Sequence, residues 1–250
     1  MTNNKPVRVI AIASGKGGVG KTNLSVNLGV SLCKLGRKVA LLDADMGLAN
    51  VDILLGLHPS YNLTHVLSGE KSLADIVVEG PHGLKVVPAS SGVQHMAEIG
   101  TMEQAGIINA FSEFEHDIDI LLVDTAAGIH GGVINFARAC QEVLIVVCDE
   151  PTSLTDAYAL IKLLNRDHGL NRFHIITNMV ESLQHGKTLY SKLCKVTDQY
   201  LDVALYFTGA VPFDKSLRKS VQKQQAVVEL MPNSPSSQAI KSLAKTIDNW

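Results

Sequence analysis

The chain lacks an excess of charge of either sign. Its 250 residues carry 22 Lys and Arg against 24 Asp and Glu, a formal net charge of −2. A broadly basic surface, as expected of many nucleic-acid-binding proteins, is therefore not predicted. We expect no direct nucleic-acid partner.

Long apolar runs and paired cysteines are also missing. No stretch of 18 apolar residues occurs, and the first residues form no apolar signal region, so we expect a soluble, cytoplasmic protein. None of the cysteines belongs to a C-x-x-C pair. Buried free thiols are therefore predicted at Cys33, Cys140, Cys148 and Cys194.

Apolar residues are abundant and alternate between strand-like and helix-like segments. The hydrophobic content of 46% suits one well-packed domain over residues 1–250. The alternation predicts an α/β fold, a doubly wound, mostly parallel sheet with helices on both faces. Strands are expected at 7–13, 39–43, 83–88, 118–124, 142–148, 173–178 and 204–211. Helices are expected at 23–35, 102–114, 152–168, 187–200, 215–224 and 236–250.

A glycine-rich loop lies between the first predicted strand and helix. Residues 14–22 read SGKGGVGKT, and Gly15, Gly20, Lys21 and Thr22 satisfy the G-x-x-x-x-G-K-[ST] pattern. Its amides wrap a triphosphate, its lysine reaches the outer phosphates, and its threonine hydroxyl binds Mg²⁺. The predicted nucleotide-binding residues here are Gly15, Lys16, Gly17, Gly18, Val19, Gly20, Lys21, Thr22 and Asn23.

Carboxylates follow two of the predicted strands, at the edge of the sheet where ligands of open α/β folds bind. Asp43 and Asp45 come after the second strand, and Asp124 ends the apolar run Leu121-Leu122-Val123. This second arrangement is typical of a Walker B strand, whose carboxylate holds Mg²⁺ directly or through water. Gly128 then begins a loop suited to a nucleotide-dependent change of conformation.

The phosphate-binding loop, K-G-G-x-G-K-T, resembles the deviant Walker A motif of the MinD/ParA ATPases. The resemblance implies an ATP-dependent homodimer in which Lys16 acts on the partner's nucleotide, as an arginine finger does. It also implies that Asp45 positions the attacking water. Lys16, Lys21 and Asp45 are thus the expected catalytic residues, and Thr22, Asp45 and Asp124 the expected metal-site residues. ATP and Mg²⁺ are the expected cofactors.

Later loops supply the remaining expected contacts. In the family, the positions of Asn178 and of Pro212, Phe213 and Asp214 contact adenine, and no guanine-specific N-K-x-D motif is evident. The segment from Cys148 to Tyr158 lies on the partner face of MinD-like dimers. Glu150 and Asp156 are therefore the expected interface residues, with Glu150 also near the nucleotide. Thr152 or Ser153 is the expected N-cap of the helix that follows.

Several runs resemble one branch of this family, the regulators of flagellar number (FlhG, FleN or YlxH). They are DADMGLANVDILLGL, VDTAAG, VVCDEPTSLTDAYALIKLL and VPFDKSLRKSVQKQQAV. The resemblance implies restraint of a flagellar enhancer-binding transcription activator, action with the GTPase FlhF, and contact with a flagellar basal-body component. Slow turnover without a partner is expected as well.

The last predicted helix, 236–250, has an apolar face that favours packing onto the domain. This face comprises Ile240, Leu243, Ala244, Ile247 and Trp250. Family members reach the inner membrane through an amphipathic C-terminal helix. The sequence stops at Trp250. We therefore expect attachment to the membrane face or cell pole only through a tail that this sequence does not contain.

Three other interpretations remain. A ParA-type partitioning ATPase would hold DNA through basic residues such as Lys215, Arg218, Lys219 and Lys223. An iron–sulfur relative would need cysteines paired across a dimer axis, and the segment after Asp124 offers none. A nucleotide-gated binding module, whose turnover only resets it, is compatible with the flagellar interpretation.

Overall fold

The computed structural model describes residues 6–45, 50–89, 107 and 118–250. Within these ranges the chain forms an eight-stranded sheet in the order β3-β4-β2-β5-β1-β6-β7-β8. Every neighbouring pair is parallel except the short β3–β4 pair. The predicted doubly wound, mostly parallel α/β fold is confirmed.

The described elements have the following bounds. The strands are β1 Arg8–Ser14, β2 Val39–Ala44, β3 Val78–Glu79, β4 Lys85–Val87, β5 Ile120–Ala127, β6 Glu142–Cys148, β7 Arg172–Val180 and β8 Ala204–Pro212. The helices are α1 Lys21–Lys34, α2 Val51–Leu55, α3 Leu63–Leu67, α4 Leu73–Ile76, α5 Gly131–Ala139, α6 Pro151–Arg166, α7 Leu183–Tyr200, α8 Lys215–Gln222, α9 Val227–Leu230 and α10 Pro235–Asp248.

The core lies on both faces of the central strands. β5, β1 and β6 are buried along nearly their whole length, as expected of strands that helices cover on both sides. One hydrophobic cluster packs α1 and α10 against one face, and a second packs α5, α6 and α7 against the other. This packing fixes the carboxyl ends of β1, β2 and β5 along one edge, where the glycine-rich loop also lies.

Short helices between β2 and β3 were not predicted. α2, α3 and α4 have four or five residues each, too few to show a helical period in the sequence. Caps stabilise two of them, because Asn62 begins α3 and Ser72 begins α4, each with a reciprocal capping box. The helix predicted at 102–114 lies outside the described residues, apart from residue 107.

Helix α10 packs its apolar stripe on the domain. Ile240, Leu243, Ala244 and Ile247 are all buried, as their spacing predicts. Arg37 holds the far end of the helix through Asp248, at 2.5 Å, and His174 stacks on Trp250 with ring centroids 3.8 Å apart. Among the described helices, none has the length and apolarity needed to span a bilayer.

Candidate nucleotide site

The glycine-rich loop joins β1 to α1 at the carboxyl edge of the sheet. Gly20 precedes α1 with φ of 83°, a left-handed conformation that favours glycine. A Cβ at Gly20 would also collide with the side-chain nitrogen of Asn178. The loop therefore keeps its shape, and the N-terminus of α1 opens toward the cleft, the arrangement that binds phosphate.

Lys21 and Asp124 form a buried ion pair at the bottom of this cleft. The Lys21 Nζ lies 3.1 Å from Asp124 Oδ1, and it also donates to the carbonyl of Thr125. The Ser25 hydroxyl donates to the same carboxylate oxygen at 2.8 Å. Helix α1 and strand β5 thus bring together the predicted phosphate-binding lysine and the predicted Walker B carboxylate.

The second oxygen of Asp124 is buried and has no hydrogen-bond partner within the described part of the chain. A buried carboxylate oxygen without a partner is costly, and a cation or its water would satisfy it. Thr22 stands at the first turn of α1 and lines the same cleft. The donor set of hydroxyl and carboxylate oxygens therefore fits Mg²⁺.

Asp43 shapes the loop after β2. Its carboxylate accepts backbone N–H bonds from Asp45 at 3.1 Å, Asn50 at 2.9 Å and Val51 at 3.1 Å. Burial and the negative charge of Asp124 raise the pKa of Asp43 to about 7, against these three bonds. Asp45 is half-buried and lines the phosphate cleft. The residues that follow Asp45, 46–49, lie outside the described ranges.

Lys16 contacts the start of α6 in its own chain. Its Nζ forms an ion pair with Glu150 and donates to the Thr152 hydroxyl at 2.9 Å. The pair is open to solvent, since 35% of the Lys16 side chain and 56% of the Glu150 side chain are exposed. Hydrogen bonding to Glu150 raises the pKa of Lys16. The structure thus brings Lys16 and Glu150 together. Gly15 of the same loop lies against helix α6, because a Cβ at Gly15 would collide with the backbone of Asp156.

The predicted N-cap of α6 was wrong. The helix begins at Pro151, so Glu150 occupies the cap position, and no side chain there bonds to the first turn. Proline suits the first helical position because its missing N–H would have no partner there. Ser153 instead accepts the backbone N–H of Cys148 at 3.0 Å, which ties α6 to the end of β6.

The predicted base-contacting residues lie together beside the loop. Asn178 lies near the end of β7 and donates its amide N–H to the Val19 carbonyl at 2.7 Å. Phe213 is 68% exposed, and Asp214 caps α8 by accepting the N–H of Ser216 at 2.8 Å. These residues line an open cavity of about 690 Å³, large enough for a nucleoside. It adjoins the phosphate cleft, an opening of about 570 Å³.

The loop that Gly128 begins after β5 is short. Gly128 has φ of 105° and donates its N–H to the carbonyl of Ser14 at 2.9 Å. Helix α5 begins at Gly131, so the loop ends there. The four cysteines are free thiols, of which Cys148 is buried and the other three are half-buried.

Three residues at the site were missed in the sequence. Ser25 follows Lys21 by one helical turn, and that spacing is the signal that places it beside Asp124. Thr152 lies in the segment of Glu150, but its contact with Lys16 depends on how α6 packs. Met179, with φ of 57°, lines both the phosphate cleft and the base cavity, and no sequence pattern indicates this.

Comparisons with known proteins agree with this geometry. A family model described as "ParA: NUBPL iron-transfer P-loop NTPase" matches residues 5–248. The antiactivator FleN of Pseudomonas aeruginosa is 57% identical over 100% of this chain and 89% of its own length. The flagellum site-determining protein YlxH of Helicobacter pylori is 36% identical over 97% of this chain and 82% of its own length.

Solved structures share the fold over nearly the whole chain. The cell division ATPase MinD of Pyrococcus furiosus superposes with a TM-score of 0.81 at 25% identity, covering 97% of this chain and 98% of that one. The septum site-determining protein MinD of Pyrococcus horikoshii, in complex with Mg-ADP, gives a TM-score of 0.78 at 26% identity, covering 97% and 96%.

Proposed function

The chain belongs to the ParA/MinD family of P-loop ATPases, and we propose that it is an ATP-dependent dimerising switch that regulates the number and placement of flagella. As a member of that family it hydrolyses ATP and uses Mg²⁺. ATP would close two protomers face to face, and hydrolysis would separate them.

The observation that carries the proposal is the position of Lys16. A buried lysine, Lys21, already serves the phosphate cleft and bonds to Asp124. Lys16 is tethered instead to Glu150 and Thr152 at the exposed start of α6. An exposed pair of this kind is weak, so release of Lys16 toward a partner's nucleotide would cost little.

Each side chain of the site has a proposed task. Lys21 and the loop amides hold the phosphates, and Thr22 and Asp124 hold Mg²⁺, which neutralises charge on the transferring phosphoryl group. Asp45 orients the attacking water, and the partner's Lys16 stabilises the transition state. Asn178, Pro212, Phe213 and Asp214 contact adenine. Glu150 and Asp156 lie at the dimer interface.

The proposed biological task follows from the similarity to the antiactivator FleN and the flagellum site-determining protein YlxH. The ATP-bound dimer would restrain a flagellar transcription activator and work with the GTPase FlhF. It would also meet a component of the flagellar basal body. Residues 1–250 would form a single ATPase domain, in the cytoplasm or peripheral at the inner membrane or cell pole.

Mass measurement on a hydrolysis-deficient variant tests the switch. Asp45→Ala should bind ATP and accumulate as a dimer, because removal of the proposed water-positioning carboxylate prevents the reset. Size-exclusion chromatography with light scattering would compare this variant with ATP·Mg²⁺ and with ADP·Mg²⁺. We expect twice the protomer mass with ATP and the single protomer mass with ADP.

Two control variants test whether the dimer depends on Lys16 and whether the effect is specific to Asp45. Lys16→Ala in the Asp45→Ala background should remain monomeric with ATP. Asp52→Ala, which removes a half-buried carboxylate on the nearby helix α2, should behave like the wild type. An Asp45→Ala variant that stays monomeric when saturated with ATP·Mg²⁺ would contradict the proposed switch.

A further inference from the structure

Helix α8 presents three cations on one face beside the base cavity. Lys215, Arg218 and Lys219 are spaced as i, i+3 and i+4, so they lie on one side of the helix. All three line the cavity of about 690 Å³, and none lines the phosphate cleft. All three are exposed at its rim.

No anion within the described residues neutralises these cations. None of the three forms an ion pair with a described carboxylate. The adjacent carboxylate, Asp214, instead accepts bonds from Ser216 and from Ser236, the latter's hydroxyl at 2.7 Å. Like charges at these spacings repel one another, so this face carries positive charge without compensation.

ATP does not account for this charge. Its phosphates belong in the cleft of Lys21, and its base and ribose, which would occupy the cavity beside α8, are neutral. The two openings share Gly20, Asn23, Met179 and Val221, so these residues mark the boundary between them. A second anionic group beyond that boundary would match the three cations in charge.

We infer that the rim formed by Lys215, Arg218 and Lys219 is a second phosphate-binding subsite. This inference rests on the proposed function, which places the adenine base in the cavity beside α8. Arginine and lysine together bind phosphate oxygens through charge-assisted hydrogen bonds. The phosphate belongs either to a nucleotide phosphorylated on its ribose as well as at the 5′ end, or to the headgroup of an anionic lipid that reaches the rim.

The first arm of the test uses nucleotides. Calorimetry would compare ADP with ADP that carries an additional 3′-phosphate, both with Mg²⁺ at fixed ionic strength. If the phosphate is part of the nucleotide, wild-type protein should bind the 3′-phosphorylated form about tenfold more tightly. The Arg218→Gln/Lys219→Gln variant should lose this preference and keep its affinity for ADP.

The second arm uses vesicles. ADP-loaded protein would be sedimented with phosphatidylcholine vesicles that contain either no or one-third phosphatidylglycerol, about the anionic share that attracts basic segments. If the phosphate is a lipid headgroup, wild-type protein should sediment with the anionic vesicles only. The same double variant should stay in the supernatant.

The matched control is Lys192→Gln/Lys195→Gln, which removes two exposed cations from α7. It should behave as the wild type in both arms. The subsite is overturned if neither probe responds to the α8 variant, or if the control loses as much binding. Even in that case, unchanged ADP affinity in the α8 variant would support the proposed nucleotide site. Loss of ADP affinity in the α8 variant would contradict a phosphate subsite that is separate from the nucleotide site.

Discussion

Two lysines of one loop lie in opposite environments, and this difference decides their roles. Lys21 is 6% exposed and bonds to Asp124, whereas Lys16 lies in the open beside Glu150. A buried ion pair is expensive to break, while an exposed pair exchanges readily with water. We therefore propose that Lys21 serves the nucleotide of its own protomer and that Lys16 serves the partner's nucleotide.

Replacement of Lys16 by alanine tests this division. Lys16→Ala should bind ATP as the wild type does, because Lys21 and the loop amides remain. Its rate of ATP hydrolysis should fall about 10³-fold or more, which is the loss expected when a cation donated by the partner protomer is removed. Steady-state ATPase assays and fluorescent-nucleotide binding would measure the two effects. Normal turnover would show that Lys16 is an ordinary surface cation.

Gly20 offers a second test at this scale. Gly20→Ala should weaken ATP binding, because the left-handed backbone and the contact with Asn178 both oppose a side chain. Gly36 is the matched control, since it has φ of 88° and no neighbour within reach of a Cβ. Gly36→Ala should cost about 1 kcal/mol of unfolding free energy and leave ATP binding unchanged. Equal loss of ATP affinity in both variants would contradict the assigned contact.

At the scale of elements, Asp214 joins α8 to α10. Its carboxylate accepts bonds from Ser216 at the start of α8 and from Ser236 at the start of α10. Partial burial disfavours its ionised form, but the bonds from Ser236 and Ser216 outweigh this and lower the pKa of Asp214. The carboxylate thus holds the loop predicted to contact the base to the C-terminal helix.

A depressed pKa gives a defined pH dependence. The stabilisation by Asp214 should be full above the pKa of an unfolded aspartate, about 3.9, and should be lost as the pH falls through the lower folded value. At pH 7, Asp214→Asn should lower the free energy of unfolding by about 1 kcal/mol. In urea unfolding, the difference in unfolding free energy between the wild type and Asp214→Asn should become smaller below about pH 4.

The control for Asp214 is Asp202, an exposed aspartate that follows α7. Asp202→Asn should leave the free energy of unfolding unchanged at pH 7. A wild-type advantage over Asp214→Asn that grows as the solution is acidified would contradict the assigned role.

Elements differ in how far sequence predicted them. β6 was predicted at its observed bounds, because a continuous apolar run between polar residues marks a buried strand. α2, α3 and α4 were missed because each is too short for its period to appear. The start of α6 was misplaced by one residue because Pro151, not a polar cap, begins it.

At the site, local motifs were predicted and packing was not. The sequence predicted the glycine-rich loop from Gly15 to Thr22 and the carboxylate of Asp124 after an apolar run, because binding of phosphate and Mg²⁺ fixes the spacing of these residue types. The contact of Lys16 with Thr152 was not, because it joins residues 136 positions apart through the packing of α6 on β1. The cationic rim of α8 appeared in the sequence only as a basic helix face.

At the scale of the molecule, the sheet brings every proposed catalytic group to one edge. Lys16, Lys21 and Asp45 follow β1 and β2, which lie on either side of β5 and its Asp124. A face built this way can close against a copy of itself about a two-fold axis, so that Lys16 of each protomer enters the nucleotide site of the other. The central claim is that this exchange completes the active site.

Mixing two inactive variants tests that claim most directly. Lys16→Ala keeps Asp45 but lacks the donated cation, and Asp45→Ala keeps Lys16 but lacks the water-positioning carboxylate. If Lys16 acts on the partner, a mixed dimer contains one complete site, and an equimolar mixture should recover up to about a quarter of wild-type ATPase activity. If the two variants co-purify as a mixed dimer and the mixture is still as inactive as either variant alone, Lys16 does not act across the interface and the account is contradicted.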